Sequence, residues 1–362
     1  MKQIVCLSNE PWSPSPGRTQ QLVARLKDVQ VLYFSPAESW RDQRFRGKGR
    51  AVKPNITTYT LPPLLLPVDE RYGELFQLGQ RKLARYIAGK MAKHRFRAPL
   101  LWTTCPEQVH LLDRLDYDGL VYDCDRDWFD LPPRWESDLA LAADVVFAAS
   151  PGLADHLSPC NDNIALLPNG VNFPMFTRTP ADCPPELRGL TGPVLGYVGT
   201  IWPDLDLSPA LRAARAMPDA SFLFLGRRRD NPAADALERL PNVRFLGARR
   251  PVEVPDYLAR FDVCLDFLRL DNLKNDILSP RLYEYLATGL PIVTLLPPDQ
   301  VEPFPDVVYT AHTDEEFARL CRRALEETGS WARERRREHA RQAAWSVRAG
   351  QVIRILRTIG LY

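Results

Sequence analysis

The sequence contains no CxxC pair, although seven of its 362 residues are cysteines. A zinc ribbon or a framework of disulfides needs cysteines that recur at short, fixed spacings. Two of the cysteines, Cys6 and Cys264, lie instead inside the apolar runs IVCL and DVCLDF. That pattern is typical of reduced, buried thiols in a cytosolic protein.

Other signatures are missing as well. No uncharged stretch reaches the roughly 18 residues of a membrane span, and no apolar segment with a cleavage site follows the amino terminus. The five histidines show no HxxxH spacing, so metal-dependent hydrolysis lacks support. Neither GxGxxG nor GxSxG occurs, which disfavours a dinucleotide oxidoreductase and an α/β-hydrolase. The sequence predicts a cytoplasmic protein that is soluble or peripheral on the inner face of the plasma membrane.

Short apolar runs alternate with helical patterns along nearly the whole chain, as expected for an α/β fold with parallel sheets. The length supports two packed domains. We expect a Rossmann-like domain at 1–170, a Pro/Gly-rich linker at 171–192, a second Rossmann-like domain at 193–340, and a C-terminal helix at 341–362 that packs back on the first domain. Ligands of such sheets bind beyond the carboxyl ends of the strands, so we expect a central cleft faced by both domains.

The stretch NDILSPRLYEYLATGLPIVTLL, residues 275–296, predicts a helix from Pro280 to about Thr288. Ser279 suits the N-cap position, and Gly289 suits the residue just past the end. The free amide groups at such a start form an anion site, and the guanidinium of Arg281 would add a fork suited to a diphosphate.

Three more residues of this stretch are candidates for the same ligand. Glu284 would lie one turn deeper than Arg281 on the same face, where its carboxylate would accept hydrogen bonds from ribose hydroxyls. Leu282 would lie beside them, and Asp276 in the preceding loop would reach beyond the phosphates as a candidate catalytic residue. The alternative is that Arg281 and Glu284 form an exposed ion pair, with Leu282 on the core face.

The run FLGARRPVEVPDYLARFDVCLDFLRLDNLKNDILSPRLYEYLATGLPIV, residues 245–293, resembles the donor half of retaining, family-4-like GT-B glycosyltransferases. The runs VYDCDRDW, FAASPGLADHL and LLPNGVNFPMF resemble elements of bacterial surface-polysaccharide members, so the similarity extends over the whole chain. The family usually has glutamate at the position of Asp276 and lysine at the position of Arg281, and its Ser-Pro step usually lies one residue farther from the second acid.

The resemblance implies a glycosyltransferase of polysaccharide or glycolipid biosynthesis. It would move a sugar from a nucleotide-diphosphate donor, expected to be a UDP-sugar, to a hydroxyl acceptor. Retention of the anomeric configuration and the absence of any metal or cofactor are also implied by the resemblance. The alternatives are a nucleotide-sugar epimerase of the same fold and a non-catalytic GT-B-like partner protein.

Further candidates for the donor site follow two predicted strands. Gly199 and Thr200 in GYVGT would let backbone amides approach the diphosphate, or they would only turn the chain. Arg227 follows the strand SFLFLG and would pair with phosphate from the same edge.

Candidates for the acceptor lie in the first domain. VYDCDRDWFD matches DxD twice, and a DxD motif holds a divalent cation in another glycosyltransferase fold. Because the donor-like elements all lie in the second domain, we assign Asp127 to deprotonation or orientation of the acceptor, Asp125 to the acceptor or cleft, and Asp123 to structure. These acids would otherwise cap the next turn.

Arg18 and Thr19, after the first strand, would contact acceptor or donor, or only form a surface connection.

Two basic stretches, residues 41–50 and 81–97, belong to the first domain. No motif that reads RNA or DNA accompanies them, so a nucleic acid is not an expected partner. In the second stretch, Leu83, Tyr86, Ile87 and Met91 recur at helical spacing beside the cations. This pattern is typical of a helix on an anionic membrane surface or of one that faces a core. A lipid-linked glycan is the expected acceptor if the helix binds lipid.

Overall fold

The computed structural model describes residues 1–37, 47–63, 73–268 and 276–362. Contacts among these residues divide the chain into two compact units. The first unit comprises Met1–Pro168 together with Ser346–Tyr362, and the second comprises Asn169–Trp345. The returning C-terminal segment thus begins at Ser346, where the sequence suggested residue 341.

Strands and helices alternate along most of the described chain. The strands are β1 (Lys2–Leu7), β2 (Val29–Ser35), β3 (Arg50–Lys53), β4 (Ile56–Thr60), β5 (Leu100–Thr103), β6 (Gly119–Cys124), β7 (Val145–Ala148), β8 (Ile164–Leu166), β9 (Val194–Val198), β10 (Ser221–Leu225), β11 (Val243–Gly247), β12 (Val263–Asp266), β13 (Ile292–Thr294) and β14 (Tyr309–Thr310).

The α-helices are mostly short. They are α1 (Arg18–Val23), α2 (Gly73–Lys93), α3 (Pro133–Ala142), α4 (Pro151–Leu157), α5 (Phe173–Phe176), α6 (Ser208–Ala216), α7 (Pro232–Glu238), α8 (Val254–Leu258), α9 (Pro280–Thr288), α10 (Asp314–Leu325), α11 (Ser330–Gln342) and α12 (Trp345–Thr358). Turns of 3₁₀ helix span Pro106–Arg114, Pro185–Leu187 and Pro298–Val301.

Each unit is built on one sheet. Within the described residues, the first sheet has the order β3, β4, β2, β1, β5, β6, β7, β8, and the second has the order β11, β10, β9, β12, β13, β14. The pairing of β3 with β4 is antiparallel, and the other pairings are parallel. The prediction of an α/β fold with two Rossmann-like domains is confirmed.

Alternation along the strands of the second sheet fills two cores. Phe222 and Phe224 of β10 are buried in one hydrophobic cluster, whereas Leu223 and Leu225 of the same strand are buried in another. A parallel sheet covered on both faces needs apolar residues at consecutive positions, which explains runs such as SFLFLG. Both faces of this sheet are therefore committed to packing, and the loops at its edges remain for binding.

The expected linker is part of the second unit. Val171, Phe176 and Leu187 are buried in the same cluster as Leu223 and Leu225. The segment 171–192 therefore differs from the free connection suggested by its prolines and glycines, because its few apolar side chains are all needed by a core.

The helical pattern from Ser330 to Leu356 is interrupted. Helix α11 ends at Gln342 and α12 begins at Trp345, while Ala344 forms a parallel bridge with Val171. The sequence gives no local signal for this break, because the residues at 343 and 344 are both alanine, a strong helix former.

In helix α2, the residues whose spacing suggested a membrane helix face a core. Leu83, Ile87 and Met91 are buried. The interpretation that these side chains enter a membrane is therefore wrong, although the opposite face of α2 exposes Leu75, Leu78 and several cations. Most of the other basic stretch, including Arg41, Arg44 and Arg46, lies outside the described residues.

A search of the described helices for a membrane span gives a negative result, because none of them is both long and apolar enough.

Candidate functional site

The order of the second sheet reverses between β9 and β12, which are neighbours. In open parallel sheets, ligands bind in the crevice beyond the carboxyl ends of the strands at such a switch point. Here those ends are Val198 and Asp266, and helix α9 begins beside them. This edge of the second unit is therefore the candidate ligand site.

Helix α9 begins as the sequence predicts. The Ser279 hydroxyl accepts a hydrogen bond from the backbone N–H of Arg281 at 3.3 Å. At the other end, Gly289 has a φ of +78° and donates its N–H to the carbonyl of Leu286. The predicted bounds Pro280 to Thr288 are confirmed, and the first amide groups of this helix supply a partial positive charge at the candidate site.

Arg281 is fixed at the switch point by three groups. Its Nη1 donates to the hydroxyl of Tyr197 at 2.9 Å and to the carbonyl of Val198 at 3.2 Å, while its Nη2 donates to Asp266 at 2.9 Å. The guanidinium also lies 4.7 Å above the ring of Tyr197. Burial lowers the pKa of Arg281, but Asp266 and Tyr197 more than offset this effect, so the pKa ends above its ordinary value. Arg281 is therefore permanently charged.

Asp266 is the main acid at this edge, and the sequence did not indicate it. Its Oδ1 accepts from Arg281, and its Oδ2 accepts from the hydroxyl of Thr294, the last residue of β13, at 3.1 Å. Asp266 is 1% exposed, and Thr294 is fully buried. The final position of a strand in a parallel sheet would have been the signal that identified Asp266.

Glycines allow two loops to approach this edge closely. A Cβ atom on Gly199 would lie 2.2 Å from Nη1 of Arg281, and one on Gly226 would lie 1.9 Å from the carbonyl oxygen of Gly199. Both glycines have φ values that favour glycine, +154° and +157°. The carbonyl of the next residue, Thr200, accepts from the hydroxyl of Tyr197 at 3.2 Å. These glycines do more than turn the chain, because side chains there would displace the guanidinium or the backbone.

The remaining donor candidates lie nearby along the chain. Arg227 follows Gly226 and is exposed, whereas Leu282 is buried. Asp276 is half-buried in the loop before α9, and the carbonyl of Leu278 in that loop accepts from the buried side chain of Asn169 at 3.0 Å. Asn169 thus supports the loop that leads into the helix, a role that its Asn-Gly sequence did not indicate.

Glu284 is half-buried one turn after Arg281. Burial raises the pKa of Glu284 to about 7, against the opposing effect of Arg281. Arg281 is paired with Asp266, so the alternative of an exposed Arg281–Glu284 ion pair is wrong. A carboxyl group with this pKa exchanges its proton near neutral pH, which is uncommon for a purely structural glutamate.

In the first unit, Arg18 and Asp123 bind each other. Nε and Nη2 of Arg18 donate to Oδ1 of Asp123 at 3.0 and 2.9 Å. Arg18 is 6% exposed, and Thr19 is 1% exposed. Both side chains are thus buried inside the first unit, and their expected contacts with acceptor or donor stay a prediction. The structural interpretation of Asp123 agrees with this pair.

Acidic groups collect at the carboxyl end of β6. Asp125 accepts from Nε of Arg126 at 3.1 Å, and Nη2 of Arg126 lies 3.4 Å from Glu10, which follows β1. Burial raises the pKa of Glu10, Asp125 adds to the rise, and Arg126 opposes it. Asp127, two residues farther, is half-buried. The structure thus adds Glu10, 115 positions before Asp125, to the candidate acceptor residues.

Within the ranges that the structure covers, no three His, Cys, Asp or Glu side chains are grouped so that they could hold a metal ion. Asp123 and Asp125 follow one another along β6 and its loop, but Asp123 is turned inward to Arg18.

Comparisons with known proteins identify relatives of the chain. Residues 208–354 match a family model described as "Glycosyl transferase-like". The chain is 26% identical over 363 residues to the "Putative teichuronic acid biosynthesis glycosyltransferase TuaH" of Bacillus subtilis (strain 168), and the alignment covers 92% of this chain and 90% of that relative.

Solved structures of low sequence identity share the fold. Sucrose-phosphate synthase from Thermosynechococcus elongatus is 17% identical, with a TM-score of 0.73 and 99% of both chains covered. Anabaena Alr3699/HepE in complex with UDP is 16% identical, with a TM-score of 0.69, and 99% of this chain and 100% of that chain are covered. An E. coli trehalose-6-phosphate protein bound with UDP-2-fluoro glucose is 13% identical, with a TM-score of 0.74 and coverage of 98% and 99%. These likenesses place the chain in the GT-B fold.

Proposed function

We propose that the chain, a glycosyltransferase with the GT-B fold, transfers a sugar from a UDP-sugar to a hydroxyl acceptor in polysaccharide biosynthesis. The observation that carries the proposal is the anion site at the switch point of the second sheet, where Arg281 and the start of α9 meet. Similar proteins of the same fold are described as complexes with UDP or a UDP-sugar, which favours uridine over other bases.

In this proposal the donor diphosphate lies against the first amides of α9 and the backbone at Gly199 and Thr200. Arg281 and these amides stabilise the charge that develops on the leaving diphosphate, the role that a metal ion has in other enzymes. Glu284 accepts hydrogen bonds from the ribose, while Asp276 and Arg227 contact the sugar or phosphates. The reaction retains the anomeric configuration and needs no metal or cofactor.

The acceptor hydroxyl is assigned to the carboxyl end of the first sheet, where Asp125, Asp127 and Glu10 lie. Because burial raises the pKa of Glu10, its carboxyl group is suited to hold or accept the hydroxyl proton. Release of UDP that requires both the donor and a glycan acceptor would distinguish a transferase from an epimerase of the same fold and from a non-catalytic protein.

Replacing Glu284 with glutamine tests the donor site, because it should weaken the binding of UDP but stabilise the protein without nucleotide. The ionised carboxylate accepts two ribose hydroxyls, so the variant should bind UDP more weakly by roughly 1–3 kcal/mol. Because burial raises the pKa of Glu284 to about 7, affinity of the wild type should fall between pH 8 and pH 6, and the variant should lose that part of the pH dependence. Isothermal titration calorimetry with UDP measures both.

Without nucleotide, the stability of the protein should change with pH in the direction opposite to its UDP affinity. The pKa of Glu284 is higher in the folded state than its ordinary value, so the protein loses stability as the pH rises through 7. The Glu284→Gln variant should therefore be more stable than the wild type at pH 8, by thermal melting without nucleotide. The exposed Glu302 provides the control, and Glu302→Gln should change neither readout. Unchanged UDP affinity in Glu284→Gln would contradict the ribose role.

We further propose that the acceptor is a lipid-linked glycan and that the first unit binds an anionic membrane surface. Leu75 and Leu78 of α2 are 45% and 55% exposed, and cations lie on the same exposed face. Lys90 is not among them, because its ammonium donates to the carbonyl of Gly47 and lies over the rings of Tyr59 and Tyr86. Each engaged cation near such a surface contributes about 1 kcal/mol.

Liposome co-sedimentation tests this proposal. The wild type should bind vesicles that contain anionic lipid, and added salt should weaken the binding. A variant with three exposed cations of this face and the exposed Arg97, which follows the helix, changed to glutamine should bind much less: Arg81, Arg85, Lys93 and Arg97. A matched variant neutralises four exposed arginines of the second unit and should bind like the wild type: Arg239, Arg250, Arg333 and Arg335. Equal loss in both variants would indicate a nonspecific charge effect.

A further inference from the structure

The hydrogen bonds of Arg281 leave part of its guanidinium unused. A guanidinium has five N–H donors. Both hydrogens of Nη1 are directed to Tyr197 and Val198, and one hydrogen of Nη2 is directed to Asp266. Nε is buried and has no hydrogen-bond partner among the described residues. Arg281 therefore retains donors for a ligand while its charge is already shared with Asp266.

The carboxylate of Asp266 is fixed and cannot easily move away when a phosphate binds to Arg281. Its two oxygens are held by different partners, Arg281 on one side and the hydroxyl of Thr294 on the other. Thr294 is itself fixed, because its hydroxyl oxygen accepts from the backbone N–H of Leu296 at 3.1 Å. Asp266 is also the last residue of β12, a central strand paired on both sides. A phosphate bound by Arg281 would thus have a fixed carboxylate as a close neighbour.

We propose that Asp266 is a permanent counter-anion of Arg281 that lowers the affinity of the donor site for the diphosphate and thereby speeds release of the nucleotide product. This inference rests on the proposed function, because it requires Arg281 to bind the diphosphate. A glycosyltransferase gains nothing from binding its nucleotide product tightly, since interactions that are equally strong before and after the reaction do not accelerate it. Asp266 holds Arg281 in place and also lowers the net positive charge that attracts the diphosphate of the product.

The test compares UDP with uridine, which lacks the phosphates. In Asp266→Asn, UDP should bind about tenfold more tightly and dissociate correspondingly more slowly, because a repelling charge in a partly buried site has been removed. Uridine affinity should stay the same. Asp266→Glu, which keeps the charge, should retain a UDP-to-uridine affinity ratio close to that of the wild type. Calorimetry gives the affinities, and stopped-flow displacement of a fluorescent UDP analogue gives the dissociation rate.

Asp262 offers a matched control for the change in charge. It lies just before β12, four residues from Asp266 and thus about 13 Å away along the strand, and its carboxylate accepts from the backbone N–H of Val194 at 2.8 Å. Asp262→Asn changes the net charge of the protein by the same amount. It should leave the affinities for both UDP and uridine unchanged, so a general charge effect would appear in both variants.

The outcomes separate the inference from its premise. If the wild type binds neither UDP nor uridine, the proposed function fails. If the wild type binds both and Asp266→Asn binds UDP no more tightly, the counter-anion role is overturned. Should Asp266→Asn not fold, the pair Arg281→Gln and Arg281→Gln/Asp266→Asn replaces it, because removing both members of a buried ion pair is often tolerated. The double variant should then bind UDP severalfold more tightly than Arg281→Gln, and equal affinities would overturn the proposal.

Discussion

Arg281→Gln should lose at least two orders of magnitude in UDP affinity and also lower the free energy of unfolding by about 3–5 kcal/mol. The loss of affinity follows from the missing charged donor at the switch point of the second sheet. The loss of stability follows from Asp266, which is 1% exposed and would be left buried without its guanidinium partner. Calorimetry with UDP and urea unfolding measure the two effects.

A second substitution separates the two effects. Arg281→Gln/Asp266→Asn should regain most of the lost stability, because the unpaired buried charge is gone, but its UDP affinity should stay at least tenfold below that of the wild type. Arg250→Gln is the control, since this exposed arginine pairs with Glu253 on the surface and such pairs contribute little. Arg281→Gln that binds UDP like the wild type would show that the diphosphate lies elsewhere.

Local sequence signals predicted the features that depend on neighbouring residues. The start and end of α9 follow from Ser279, Pro280 and Gly289, because capping is determined within a few positions. Buried parallel strands such as β10 follow from continuous apolar runs for the same reason. The sequence alone therefore predicts both bounds of α9.

Partners that are distant in sequence could not be predicted in this way. Arg281 was considered as a partner of Glu284, three positions away, but it binds Asp266, which lies 15 positions earlier and beyond a loop. The chain order of β9 and β12 gives no sign that they become neighbours. Strand β14 has two residues, Tyr309 and Thr310, which are too few to form a sequence pattern.

The DxD motif illustrates the same limit in the first unit. The spacing of Asp123, Asp125 and Asp127 suggested carboxylates that share a role, and strand alternation argues that Asp123 and Asp125 can point the same way. The structure instead turns Asp123 inward to Arg18, 105 positions away in sequence, and leaves Asp125 beside Arg126. Only the fold brings Arg18 to this strand, so sequence spacing could not distinguish a metal ligand from a buried counter-ion.

Asp123→Ala should therefore destabilise the protein by about 3–5 kcal/mol, since Arg18 would remain as a buried charge without a partner. Restoring neutrality with Arg18→Met/Asp123→Leu should recover most of that loss. Urea unfolding measures both variants, and Asp113→Ala, an exposed acid of the same unit, should have little effect. A small effect of Asp123→Ala would contradict the buried pair.

Measurements in EDTA test whether Asp123 and Asp125 hold a metal ion. If Asp123 and Asp125 held a divalent cation that bridges the diphosphate, UDP affinity of the wild type would fall in EDTA and recover with Mn²⁺ or Mg²⁺. We expect equal UDP affinity in EDTA and in Mn²⁺, because Arg281 and the amides of α9 supply the positive charge in the proposed site. The stability lost in Asp123→Ala should likewise be the same with and without metal, since a guanidinium, and not a metal ion, is the partner of that carboxylate.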